Sequence, residues 1–111
     1  MSGATLEKAL EAVRKLIHEL SKKYRIREAY VFGSYVKGTW ISTSDIDIII
    51  VSEDFRGINY LKRLDIVYET AWKLKLRPHT EVIPLTPEEF EEKKNTSAVI
   101  RDAMKYWVRI A

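Results

Sequence analysis

The chain has 111 residues, 46% of them hydrophobic, which suits one small domain with a packed core and excludes two independent cores or a disordered protein. Cysteine is absent and the net charge is only +3, which excludes disulfides, thiolate metal sites and a dedicated nucleic-acid binder. No apolar run approaches the roughly 20 residues of a membrane span, and no signal-peptide pattern opens the sequence. We therefore expect a single cytoplasmic domain over residues 1–111, with neither a membrane nor a nucleic acid as its partner.

The first half of the chain predicts one helix and two strands. Apolar residues recur at spacings of three and four from residue 6 to about residue 24, behind a capping Thr5, which is typical of an amphipathic helix. Residues 27–32 are rich in β-formers and end at Gly33, so they predict a short strand. Residues 45–51 (DIDIIIV) are apolar on both faces beyond their first turn, which indicates a central strand covered on both sides.

The second half predicts a helix, a strand and two further helices. Asn59 caps a helix over residues 60–76, whose buried face should carry Tyr60, Leu64, Val67, Ala71 and Leu74. Residues 79–85 predict a third strand, and the sequence Thr-Pro-Glu-Glu from residue 86 is a capping box that begins a short helix. We expect an α/β (α+β) fold with a small three-stranded mixed sheet and helices packed on it.

The last predicted helix, from residue 97 onward, carries more apolar side chains than one stripe needs. They extend from Val99 through Ala103 and Trp107 to Ile110. A helix that is apolar on more than one face buries more than one face. The excess therefore indicates either packing across the sheet or a protein interface, including a homo-oligomer, and the pattern does not choose between them.

Chemistry concentrates in three short features. Gly33-Ser34 follows a strand, where glycine lets the backbone approach a phosphate closely. Asp45 and Asp47 lie two residues apart on one face of the central strand, and two carboxylates that close need a cation between them. Glu81 lies on the third strand, where an isolated acid is costly unless it is paired or binds a metal.

Each feature also has a plainer interpretation. Gly-Ser after a strand is most often a simple turn. Asp45 and Asp47 could form a solvated strand entrance, and Glu81 could lie in water on an edge strand. The combination is more specific than its members, because it requires a strand, Gly-Ser, ten intervening residues, Asp-x-Asp on a strand and a later acid.

This combination resembles the signature of the DNA polymerase beta-type nucleotidyltransferase superfamily, and the chain is most similar to its small prokaryotic members, the minimal nucleotidyltransferases. The resemblance covers about residues 6–85. It implies the nucleotidyltransferase fold, with Gly33 and Ser34 binding the nucleoside triphosphate. Asp45 and Asp47 would bind two divalent ions, Mg²⁺ or Mn²⁺, with Glu81 as third ligand or proton acceptor. The family usually has Asp at that third position.

The resemblance also implies a function. A minimal nucleotidyltransferase would transfer a nucleoside monophosphate, AMP from ATP, to an acceptor. Similar proteins often occur beside a HEPN-type toxin and act as its antitoxin, so that toxin is the expected acceptor. The alternative is a binding module of the same fold that neutralises a partner by direct capping. A small-molecule or RNA-end acceptor ranks last. Lys37 and Lys62 are further candidates for phosphate contacts.

Overall fold

The computed structural model describes residues 5–111. Its strands are β1 (Ile26–Phe32), β2 (Ile46–Ser52), β3 (Thr80–Leu85) and β4 (Val108–Arg109). The helices are α1 (Leu6–Leu20), α2 (Ser34–Lys37), α3 (Tyr60–Lys73), α4 (Pro87–Thr96) and α5 (Ala98–Ala103), and a 3₁₀ turn covers Glu53–Phe55. The strands form one mixed sheet in the order β3-β2-β1-β4. Only β2 and β3 run parallel, and β1 is antiparallel to both of its neighbours.

The prediction of three strands is wrong, because the described residues form four. Helix α5 ends at Ala103, whose carbonyl accepts hydrogen bonds from the amides of Tyr106 and Trp107 in the following turn. The chain then runs antiparallel to β1, with Val108 opposite Val31. Trp107 therefore lies beyond the helix, stacked on Tyr30 with ring centroids 3.9 Å apart. The apolar excess of this segment is thus largely used inside the domain.

The sheet carries a separate apolar core on each face, as the apolar run in the second predicted strand indicated. On one face, α1 and α3 cover the alternate isoleucines of β2, Ile46, Ile48 and Ile50. On the other face, α4, α5 and the C-terminal turn cover Ile49 and Val51. Strand β2 is buried on both faces beyond its first residues.

The predicted helix starts are confirmed. The side chains of Thr5 and Asn59 accept hydrogen bonds from backbone amides in the first turns of α1 and α3. Thr86 and Glu89 form the capping box of α4. Helix α1 ends at Leu20, earlier than expected, where the chain continues as turns.

The predicted buried face of α3 is only partly right. Val67 is buried, but Tyr60 is 43% exposed and the buried residue of that turn is Arg63. The Arg63 guanidinium donates to the Glu89 carboxylate and to the carbonyls of Ile58 and Pro84, which satisfies its charge and most of its donors. Helix α3 thus binds the edge of β3 partly through polar contacts.

Between residues 5 and 111, the structure contains no helix with the length and apolar character that crossing a membrane requires.

Candidate active site

The predicted site residues meet at one end of the sheet. Asp47 pairs with Phe32 of β1 on one side and with Glu81 of β3 on the other. Gly33 follows Phe32 directly, and Asp45 precedes the first residue of β2. The strand pairing therefore brings the Gly-Ser turn, the two aspartates and Glu81 to adjacent positions.

Gly33 and Asp47 are in direct contact. The backbone of Gly33 has φ +82°, a conformation that residues with side chains rarely adopt. A Cβ atom placed on Gly33 would lie 2.0 Å from Oδ2 of Asp47 and 3.0 Å from its Cγ. A side chain at position 33 would therefore occupy the space of the Asp47 carboxylate, and the glycine is required by the site as well as by the turn.

Ser34 begins α2, a helix of four residues that follows Gly33. The amides of Val36 and Lys37 donate to the Gly33 carbonyl, and those of Gly38 and Thr39 donate to the Ser34 carbonyl. These bonds fix the turn between β1 and the next segment. Ser34 itself is half-buried beside the turn, which leaves part of it open to a ligand.

The loop that leads into Asp45 is held by Tyr35. The ring of Tyr35 is buried and stacks on Trp40, with centroids 5.6 Å apart. Its hydroxyl donates to the carbonyl of Ser44 at 3.4 Å. The Ser44 hydroxyl in turn accepts from the amide of Ile41. These contacts position the residue before Asp45.

The three carboxylates influence one another electrostatically. Burial, then the charges of Glu81 and Asp45, raise the pKa of Asp47 from 3.8 to about 6. Asp47 is half-buried, whereas Asp45 and Glu81 are exposed. Three like charges in this arrangement favour a bound cation or a bound proton.

The donor set fits a divalent metal in chemistry. Carboxylate oxygens are the ligands that Mg²⁺ and Mn²⁺ prefer, and a cation between Asp45, Asp47 and Glu81 would relieve the repulsion that raises the Asp47 pKa. Nevertheless, across residues 5–111 no three His, Asp or Glu side chains already converge on a single metal position. Binding would therefore need side-chain rotations, for which the exposed Asp45 and Glu81 have room.

The two candidate lysines lie in different places. Lys37 is next to the Gly-Ser turn, where its ammonium lies 3.4 Å from the Asp102 carboxylate and 4.8 Å from the centre of the Tyr106 ring. Tyr106 and then Asp102 raise the pKa of Lys37. Lys62 lies in the first turn of α3, away from the site. Its neighbour Arg63 contacts Pro84, near the end of β3 that lies opposite Glu81. The structure thus brings only Lys37 to the site.

Tyr106 is a site residue that the sequence did not indicate. Its hydroxyl accepts a hydrogen bond of 3.2 Å from the amide of Gly33, 73 positions earlier in the chain. The ring also packs against the core on the α4 and α5 side. The turn after α5 therefore closes one side of the site, and only its apolar residues gave any signal in the sequence.

Comparison with known proteins identifies the family. The family model "Nucleotidyltransferase domain" matches residues 13–109. "Putative protein adenylyltransferase MJ0126" of Methanocaldococcus jannaschii is 37% identical over 62 residues, which are 56% of this chain and 61% of that protein. Protein adenylyltransferase MntA of Thermococcus cleftensis is 31% identical over 85 residues, 66% of this chain and 86% of that one. The chain thus spans about three-fifths of the length of the M. jannaschii protein.

A solved toxin-antitoxin structure with AMP-PNP has the same fold. It superimposes with a TM-score of 0.58 at 20% identity, over 92% of this chain and 72% of the other. The family match includes the Gly-Ser turn, both aspartates and Glu81. From the matched range, the fold and the arrangement of these residues, we conclude that the chain belongs to the nucleotidyltransferase domain family.

Proposed function

We propose that this domain transfers AMP from ATP to a side chain of a protein partner. The observation that carries the proposal is the position of the Asp47 carboxylate. It lies so close to Gly33 that a Cβ on Gly33 would be 2.0 Å from it, and Asp47 pairs with Glu81 on the neighbouring strand. This arrangement supports the proposal that the Gly-Ser turn binds phosphates beside a group of carboxylates. The relatives named protein adenylyltransferases support a protein as the acceptor.

In the proposed reaction, an acceptor oxygen attacks the α-phosphorus of ATP. A new oxygen–phosphorus bond forms, the bond to the bridging oxygen breaks, and pyrophosphate leaves with that electron pair. The proton of the acceptor passes to a carboxylate, and Glu81 is our candidate because it is exposed beside Asp47. Gly33 and Ser34 would bind the phosphates that leave.

Asp45, Asp47 and Glu81 would hold the divalent ions, Mg²⁺ or Mn²⁺. When bound, such ions supply positive charge that offsets the negative charge of the phosphoryl oxygens. Without them, the three carboxylates would repel the triphosphate. Lys37, next to the Gly-Ser turn, would add a positive charge for the phosphates if it left Asp102.

We further propose that the acceptor is a toxin of the HEPN type. The fold shared with a toxin-antitoxin structure containing AMP-PNP supports both a nucleotide and a protein partner.

The second candidate function is capping of a partner without catalysis. It is favoured by the absence, within residues 5–111, of three carboxylate or imidazole groups already arranged for a metal. Under this proposal the partner would be inhibited through contact alone. Replacing the aspartates would then leave inhibition intact.

The test is titration of ATP into the purified protein, with Mg²⁺ and with EDTA, followed by transfer of label from α-labelled ATP to a co-expressed partner. The test variant is Asp45→Asn with Asp47→Asn. A matched control, Glu7→Gln with Glu11→Gln, removes two exposed carboxylates from α1. We expect binding and transfer that need both the metal and the aspartates, and an unchanged control. Partner inhibition that survives the loss of both aspartates would instead support capping.

A further inference from the structure

A strip of basic residues follows α3 and leads to the edge of the sheet. Between residues 71 and 80 the sequence AWKLKLRPHT contains Lys73, Lys75, Arg77 and His79 and no acid. All four side chains are exposed. None of the ion pairs found among residues 5–111 involves them. We call these four residues the basic strip.

A cleft of about 300 Å³ opens beside the basic strip. Tyr68, Ala71 and Trp72 line it from α3, and Arg77 and His79 line it from the strip. Trp72 is 80% exposed, whereas the other tryptophans, Trp40 and Trp107, are half-buried and stacked on tyrosines. A large exposed aromatic ring beside unpaired positive charge is typical of a binding surface.

The cleft lies at the same end of the sheet as the carboxylates. Thr80, which also lines it, pairs with Ile46, between Asp45 and Asp47. The next residue is Glu81, about 3.3 Å further along β3. The carboxylates lie on the other side of the strand, so a bound segment would reach them across the start of β3.

The direction of the proposed reaction points to this edge. In a displacement at phosphorus, the attacking and leaving oxygens lie roughly in line. With the leaving phosphates at Gly33, after β1, the attacking oxygen would come from the opposite side of β2, which is the β3 edge. The acceptor would then pass Glu81 and the start of β3.

We infer that the cleft and the basic strip hold an acidic segment of the protein acceptor, with an aromatic or aliphatic side chain against Trp72. This inference rests on the proposed function, since it names where that acceptor docks. Charge complementarity carries the choice of an acidic partner, because the lining has the Arg77 guanidinium and no acid, and the exposed Lys73 and Lys75 belong to the same strip. The apolar walls of Ala71 and Leu76 suit a side chain of a protein better than a phosphate backbone.

The probe for the test is a fluorescein-labelled random copolymer of glutamate and tyrosine, with a lysine–tyrosine copolymer and an oligothymidylate of similar length for comparison. Binding is measured by anisotropy without ATP, so the docking test does not depend on catalysis. We expect the glutamate–tyrosine copolymer to bind and the lysine–tyrosine copolymer not to bind. Tighter binding of the oligothymidylate, or no binding of the acidic copolymer, would overturn the inference.

Two pairs of variants locate the surface. Lys75→Glu with Arg77→Glu should weaken binding of the acidic copolymer about tenfold, from the loss and reversal of two exposed charges. Lys8→Glu with Arg14→Glu makes the same change in net charge at exposed positions of α1. This pair should change the affinity for the acidic copolymer less than about twofold. Equal weakening by both pairs would mean that net charge alone attracts the copolymer, and the inference would fail.

Trp72→Ala should weaken binding several-fold. Leu61→Ala, which shortens another exposed apolar side chain, at the start of α3, should not. Transfer of label from α-labelled ATP to the same copolymer then tests catalysis separately. If the copolymer binds at the strip but receives no label, the proposed transfer to protein fails and the docking surface stands. If label is transferred equally by wild type and the Lys75→Glu/Arg77→Glu variant at low copolymer concentration, the docking surface fails alone.

Discussion

The two faces of β2 differ at only one end of the sheet. Towards α1 and α3, every inward residue from Ile46 to Ile50 is fully buried and apolar. Towards α4 and α5, Ile49 and Val51 are equally buried, but Asp47 takes the next position and reaches Gly33. One strand thus provides a closed core on one face and a carboxylate cluster at the end of the other.

The difference separates stability from function along a single strand. An apolar side chain at position 47 would pack as its neighbours do. The Asp47 carboxylate is instead half-buried beside two other acids, and burial and their charges raise its pKa to about 6. Residues on the closed face should therefore control folding, and residues at the open end should control ligand binding.

The largest effect on stability is expected at Ile48, on the closed face. The side chain is fully buried between Val31 and Val82 in the two paired strands. Ile48→Ala should lower the free energy of unfolding by about 2–5 kcal/mol, through lost burial and the cavity it leaves. Denaturant unfolding measures the loss, and titration below the transition measures ATP affinity, which should not change. A loss of affinity in the folded variant would contradict the separation.

Gly33→Ala should abolish nucleotide binding with a smaller loss of stability. The new Cβ would displace the Asp47 carboxylate, and the backbone of Gly33 (φ +82°, ψ −156°), which is open essentially to glycine alone, would add strain of about 1–3 kcal/mol. Calorimetric titration of ATP and Mg²⁺ measures the first effect, and thermal unfolding measures the second.

Gly38→Ala is the matched control for this variant. Gly38 has φ +81°, nearly the value of Gly33, yet a Cβ there would meet no atom within 4 Å. Its ψ of +16° places it in the left-handed helical region, so Gly38→Ala should show a backbone strain of about 1–2 kcal/mol and normal ATP binding. If both variants lose ATP binding alike, contact with Asp47 does not explain the need for Gly33.

Asp47→Asn should stabilise the metal-free protein at neutral pH, in contrast to its neighbour Ile48. Because its pKa is raised, Asp47 holds its proton more tightly in the folded state than in the unfolded state. The free energy of unfolding of the wild type therefore falls as the pH rises from about 3.8 to about 6, and then levels off. Because the side chain is only half-buried, we expect a gain on the order of 1 kcal/mol, or about 4 °C in Tm.

The pH dependence distinguishes this cause from a general effect of the amide. In EDTA, the advantage of the variant should be full at pH 7 and disappear below about pH 4, where Asp47 is protonated in both states. Added Mg²⁺ should raise the Tm of the wild type more than that of the variant. A constant difference across this pH range would show that the charge of Asp47 is not its source.

Local patterns in the sequence predicted much of the fold. The apolar residues on both faces of DIDIIIV predicted the central strand, and the caps at Thr5, Asn59 and Thr86 predicted three helix starts. These signals lie within a few residues of the structure that they specify. The family match covers the positions of the predicted site, and the site residues and their roles remain predictions.

The features that the sequence missed depend on distant contacts. Strand β4 has only two residues, and it forms because they pair with β1. The sequence of this segment is apolar and also suits a helix, so it gives no local indication of a strand. Arg63 is buried because Glu89, 26 positions away, pairs with it. The bond from Gly33 to Tyr106 spans 73 positions, which no periodicity reveals.

The smallest effect is expected at Tyr106, where the open end of the sheet meets the C-terminal turn. Its hydroxyl fixes the amide of the residue that contacts Asp47. Tyr106→Phe keeps the ring under Lys37 and removes one hydrogen bond of about 1 kcal/mol, so ATP binding should weaken about fivefold. Calorimetric titration of ATP with Mg²⁺ measures the change.

Tyr68→Phe provides a comparison with the same chemistry at a different place. The Tyr68 hydroxyl also accepts a hydrogen bond from a backbone amide, that of Val82, at 2.9 Å on the β3 edge. Both variants should lose a similar amount of thermal stability, and only Tyr106→Phe should weaken ATP binding. Tighter ATP binding by Tyr106→Phe would instead mean that the hydroxyl competes with phosphate for the Gly33 amide. Because each variant removes one hydroxyl bound to one amide, a difference between them in affinity must come from where the amide lies.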